Sequence, residues 1–187
     1  AFLSRFPRVR LQIVAVDRPV DLIGERIDVA LRVRTELVTD AALTMRTLGY
    51  SRRILVAAPQ WLSRCGGSPA DQLAQLPTLS SSDDGGVVDW EFSGPDGLQC
   101  RVRHEPRMTC ADFQAVRDAA VAGMGIALLP DHICQLELME GRLVHVFPQW
   151  QTPIGIVHVV FPPRRGLPPA VRAFIDHLAT SLRLVAG

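Results

Sequence analysis

The residues best suited to chemistry in this 187-residue chain are four cysteines, five histidines and the glycine pair of "AVAGMGIALLP" (120–130). A zinc or redox site needs thiols and imidazoles at close, recurrent spacing, as in C-x-x-C. Cys65, Cys100, Cys110 and Cys134 are scattered, and His132 and Cys134, two residues apart, diverge on a helix. Reduced, buried thiols are the plain reading, and a thiol sensor or a site built from His104, His132 and two cysteines is the sharper alternative. "SSSDDGG" (80–86) supplies hydroxyls and carboxylates without a neighbouring histidine, and neither G-x-S-x-G nor H-E-x-x-H occurs. The sequence therefore points to no catalytic residue, metal or cofactor.

Gly123 and Gly125 could cradle a phosphate only if a strand preceded them and a helix followed, because the anion sits on the helix N-terminus. The order is the reverse. "TCADFQAVRDAAVAG" (109–123) reads as a helix capped by Thr109 or Asp112, with Phe113, Val116 and Ala120 on one face, and "IALLP" (126–130) reads as a buried strand. Gly123 is then a helix C-cap and Gly125 a tight entry into the strand.

The remaining elements alternate. "RLQIVAV" (10–16) and "DVALRV" (28–33) read as strands around a short helix over 17–27 with Val20, Ile23 and Ile27 on one face, a βαβ unit that predicts a parallel sheet. Two strand-like runs follow in 43–59, then helices from "PQWLSRCG" and "PADQLAQLP". "DWEF", "GPDG" and "LQCRVR" form a hairpin pattern. "DHICQLELMEG" reads as a helix, "RLVHVFP" and "IGIVHVVFP" as strands, and 168–185 as a helix with Val171, Phe174, Ile175, Leu178 and Leu182 in one stripe.

Composition adds exclusions. The net charge is +1, every basic side chain is arginine, and no apolar run approaches a membrane span. The start, "AFLSRFPRVR", lacks the pattern of a secretory signal and reads as the end of a helix.

The order and spacing of "FLSRFPRVRLQIVAVDRPVDLIGERIDVALRV", "LGYSRRILVAAPQWLSRCG", "WEFSGPDG", "AAVAGMGIALLPDHI", "EGRLVHVFPQW" and "LPPAVRAFIDHLATSL" resemble the C-terminal effector-binding domain of LysR-type transcriptional regulators. The resemblance implies an α/β fold of the type 2 periplasmic-binding-protein kind, with two α/β subdomains joined by two crossover strands and a small effector in the cleft between them. On that pattern subdomain I is 1–55 plus 160–187 and subdomain II is 56–159, with "RRILVAAP" crossing outward and "IGIVHVVFP" returning. It also implies a non-enzymatic, cytoplasmic sensor, a homodimer or homotetramer that reaches operator DNA through an N-terminal winged helix-turn-helix not in this chain. The family's first strand is expected to be missing too, leaving an open sheet edge. The alternative use of the same fold is a solute-binding protein of a transport system.

By family position the effector contacts are Asp17, Arg18, Arg32, Arg34, Ala58, Ala111, Asp112 and Phe113. A carboxylate or aromatic effector suits them, because the helix starting near Asp112 favours an anion. Each has a second reading: Asp17 as an N-cap, Arg32 as a paired group in an apolar strand, Arg34 as a solvated side chain and Phe113 as core. Trp61 and Trp90 are expected to pack in subdomain II, and Trp150 has no assigned role.

Overall fold

The computed structural model describes residues 1–16, 18, 20–37, 42–82, 85–163 and 167–182. The chain forms two compact units, the first from Ala1–Ser51 with Ile154–Gly187 and the second from Arg52–Pro153. The chain thus crosses at 51/52 and 153/154, earlier than the expected 55 and 160.

In the first unit, α1 (Phe2–Arg5) precedes β1 (Ala30–Arg34) and β2 (Thr44–Ser51). Their sheet is completed by a strand from much later in the chain, Gly155–Phe161, which lies between them and runs antiparallel to both. Its alternate residues Val159 and Phe161 are buried against Ile175 of the last helix, Pro169–Ser181, with Val171 and Leu178 packed beside it. Phe2 meets Phe174 edge-on, ring centroids 5.0 Å apart, so α1 joins the same layer.

Two expectations for this unit do not hold. Residues 10–16 form no strand and leave Ile13 78% and Val14 57% exposed. A strand needs a ladder partner, and among the described residues β1 pairs only with the Gly155–Phe161 strand. Among the described residues the parallel βαβ unit is accordingly absent, and β1 and β2 both pair antiparallel with the Gly155–Phe161 strand. Of the helix expected over 17–27, residues 20–27 form a single turn instead, and Asp17 and Pro19 lie outside the described residues. Asp21 accepts from the Ile23 and Gly24 N–H groups, Ile27 N–H closes on the Leu22 carbonyl, and Arg26 takes φ +55°. That turn buries Leu22 and leaves Ile23 in solvent.

The second unit contains β3 (Arg53–Ala57), α2 (Pro69–Gln72), β4 (Thr78–Ser80), β5 (Val88–Ser93), β6 (Gln99–His104), β7 (Met108–Thr109), α3 (Phe113–Val121), β8 (Ile126–Pro130), α4 (Asp131–Met139) and β9 (Val144–His145). The late strand of the first unit is therefore β10, and the last helix α5. The five-stranded sheet has the order β7-β4-β8-β3-β9, with β4 parallel to β7 and β8 and β3 antiparallel to β8. Val116 and Ala120 of α3 pack on one face with Leu129 and Cys134. Trp90, Phe92, Cys100 and Val102 of the β5–β6 hairpin pack on the other, against Leu55, Ile126 and Leu128.

The glycine segment is structural. Gly123 has φ +76° and its carbonyl accepts from Trp61 Nε1 at 3.0 Å. A Cβ on Gly125 would lie 2.5 Å from the Pro77 carbonyl oxygen, so only glycine lets β8 start there, where Ile126 N–H bonds that same oxygen. Trp150 also finds its place: its ring covers Gly94, and its Nε1 donates to the Gly67 carbonyl at 3.2 Å.

Among the described residues of this unit, His104 and His145 each have a buried Nε2 without a partner. His104 stands edge-on to Trp90, centroids 4.3 Å apart. Burial lowers both pKa values below the ordinary 6.5, with the Val102 carbonyl and Asp89 offsetting part of the effect at His104.

Two outcomes are expected. Gly125→Ala forces backbone to shift and should cost about 1–3 kcal/mol by urea denaturation, against about 1 kcal/mol for Gly141→Ala, where φ is +69° but space is open. Below pH 6.5 the unfolded chain takes up protons that the folded chain refuses, so stability falls as pH drops from 6.5 through the lowered folded values. His104→Phe keeps the ring contact and should flatten part of that slope; an unchanged slope would remove His104 from the account.

Candidate functional site

On the first unit, β1 alternates so that Arg32 and Arg34 share one sheet face, and Arg32 lies directly opposite His158 of β10. Arg32 is half-buried and its Nη2 donates to the Val20 carbonyl at 2.8 Å, which holds the guanidinium over the sheet. Arg34 is exposed, and among the described residues its Nη1 reaches the Val33 carbonyl at 3.3 Å. These side chains, with Glu36 and His158, line a cavity of about 110 Å³. Its apolar side is Leu43, Met45 and Val160.

His158 was not among the residues expected from sequence. It is 3% exposed, and its Nδ1 lies 3.0 Å from the Ile156 carbonyl. The available signal was a single polar residue inside the apolar run "IGIVHVVFP". A register shift between Val157 and His158 sets Leu48 as an extra residue on β2, the kind of bulge that re-aims a side chain.

Arg18 lies at the surface in a two-pronged pair with Glu25, at 2.8 and 2.7 Å. The hydrogen bonds from Arg18 hold the Glu25 carboxyl below its usual range. Asp17 lies outside the described residues.

On the second unit, β4 and β7 run parallel and the chain leaves them together, with Cys110 N–H bonded to the Ser80 carbonyl at 3.1 Å. Ala111 and Asp112 follow at once, and α3 begins at Phe113. Asp112 accepts from the Gln114 N–H at 2.8 Å and is the helix N-cap. Phe113 is 37% exposed at the first helical position, which removes its core reading. Ala58 does not join this group. It directly follows β3, which runs antiparallel to β8, so it lies beside the start of β8, whereas Ser80 and Thr109 end strands that run with β8. It is buried there, its carbonyl accepting from Trp61 N–H at 3.0 Å.

Two of the four thiols are held in the unreactive protonated form. Burial, and then the nearby Glu137, push Cys134 up to about 12, and burial raises Cys65. Among the described residues no group of three His, Cys, Asp or Glu side chains could hold a metal, and no helix is long and apolar enough to cross a membrane.

Residues 1–183 match the LysR substrate binding domain family. The chain is 30% identical over 185 residues to the HTH-type transcriptional regulator PtxR of Pseudomonas aeruginosa, covering 97% of this chain and 58% of that protein. The full-length virulence activator AphB of Vibrio cholerae, a member of the LTTR family, superposes with a TM-score of 0.78 at 25% identity, over 96% of this chain and 60% of that one. CrgA of Neisseria meningitidis, a LysR-type regulator, gives 0.77 at 25% identity over 97% and 61%. The chain therefore spans somewhat more than half the length of these relatives.

The cap role of Asp112 separates from any ligand role by substitution. Asp112→Ala should lower the stability of the second unit by about 1 kcal/mol and Asp112→Asn by only a few tenths, read from urea midpoints. Equal losses for both would show that charge at the α3 N-terminus, not capping, is what the carboxylate supplies.

Proposed function

The chain belongs to the LysR substrate-binding domain family, and from that premise we propose that it senses a small carboxylate or aromatic effector. It is the effector-binding regulatory domain of a LysR-type transcriptional regulator, a non-enzymatic family. The observation that carries the carboxylate reading is the cavity lined by Arg32 and Arg34, whose apolar side is Leu43, Met45 and Val160. Arg32 is the positioned member, held by Val20, and Arg34 is the one with donors to spare. Ala111, Asp112 and Phe113 on the second unit are the further candidate contacts, by family position and by the polarity of the α3 N-terminus.

In the proposed regulator this domain works in the cytoplasm within a homodimer or homotetramer, and an N-terminal winged helix-turn-helix reads the operator. Effector binding regulates only if it favours one arrangement of that assembly over another, since equal affinity for both shifts nothing.

A thermal-shift screen of the 187-residue chain against aliphatic acids, aromatic carboxylates, amino acids and phenols tests the reading. An effector at about a hundred times its Kd adds roughly 2.7 kcal/mol, several degrees of Tm for a chain this size. The shift should disappear in Arg34→Ala; a shift that survives both Arg34→Ala and Asp112→Ala would place the effector elsewhere.

A further inference from the structure

We propose that the cavity on the first unit takes a three- or four-carbon acid bearing a hydroxyl or ammonium group beside its carboxylate, with Nε2 of His158 accepting from that group. The inference rests on the carboxylate reading above and adds the second half of the ligand.

The argument starts from the histidine. Nδ1 of His158 lies 3.0 Å from the Ile156 carbonyl oxygen. A carbonyl only accepts, so Nδ1 carries the hydrogen, and in the neutral ring Nε2 is left as a bare acceptor. The side chain is 3% exposed and lines the cavity, so Nε2 is a polar atom with almost no bulk water to satisfy it. Unlike His104 and His145, whose Nε2 atoms are enclosed, His158 meets open space.

The opposite strand supplies the complement. Arg32 faces His158 across the ladder, and Arg34 stands two residues further along the same face, so donors for an anion lie next to the acceptor. Glu36 adds a second acceptor to the cavity lining. A simple carboxylate would satisfy the arginines and leave Nε2 desolvated and unpaired, which is costly for a buried polar atom. A group that both donates and sits one or two bonds from the carboxylate satisfies both sides. Size sets the class: a cavity of about 110 Å³ is smaller than the roughly 150 Å³ of a cavity that admits benzene. That fits a short aliphatic hydroxy or amino acid and leaves little room for an aromatic ring.

Calorimetric titration of the 187-residue chain with lactate, alanine and propionate decides it. Lactate or alanine should bind about tenfold more tightly than propionate, the worth of one hydrogen bond to a buried acceptor. His158→Asn, whose side-chain amide still donates to the Ile156 carbonyl, should bring the affinities together, while Arg34→Ala weakens all of them. Should His158→Asn fail to fold, the Nε2 resonance of ¹⁵N-histidine-labelled wild type gives the second readout. It should move with lactate or alanine and stay with propionate. Equal affinities that still depend on Arg34 overturn this proposal and leave the carboxylate reading standing. No binding of any of these acids at millimolar concentration, with the chain folded, overturns this proposal as well, and the wider thermal-shift screen then decides the carboxylate reading.

Discussion

The pairing of β10 between β1 and β2 is the constraint on which the rest depends. A strand from residues 155–161 can enter a sheet begun more than a hundred residues earlier only if the intervening chain leaves and returns at adjacent points. The ladder shows that adjacency directly, with Gly155 opposite Ser51. A Cβ on Gly155 would lie 2.5 Å from Cγ1 of Val33, so any other residue there has to displace that side chain. Thr152, just before the return, donates from Oγ1 to the Arg53 carbonyl at 2.8 Å, tying together the two ends of the inserted unit.

The same pairing builds the candidate site. Because β10 lies between its neighbours, its two faces serve different purposes. Val157, Val159 and Phe161 are buried, the last two against α5, while His158 and Val160 turn the other way beneath Arg32 and Met45. A buried histidine is tolerated there because one ring nitrogen is bonded within its own strand and the other meets a cavity. On the second unit the corresponding economy is at Asp112, whose carboxylate caps α3 where two parallel strands end.

Much of this was legible in the sequence because the signals are local. The hairpin around "GPDG", the caps at Asp112 and Gly123, the glycine entry into β8 and the packed stripe of α5 depend on neighbours within a few residues. The strand over 10–16 and the helix after it were misread for the converse reason. Their apolar patterns promise burial, but a ladder and a covering layer must come from elsewhere, and the described residues supply neither. Phe113 was placed on the buried face by periodicity, although the first helical position lies where the face has not yet met the sheet.

By itself the sequence determined the family, the α/β character and the absence of a nucleotide loop at Gly123, because these follow from residue order and short-range chemistry, whereas the candidate arginines came from family position alone. Only the tertiary structure separated Ala58 from Ala111–Phe113, since strand direction is decided by which neighbour a strand finds. Only the structure brought His158 beside Arg32, residues 126 positions apart by their numbers and directly opposite in the ladder. Register is a property of two strands together, and no single stretch of chain encodes it.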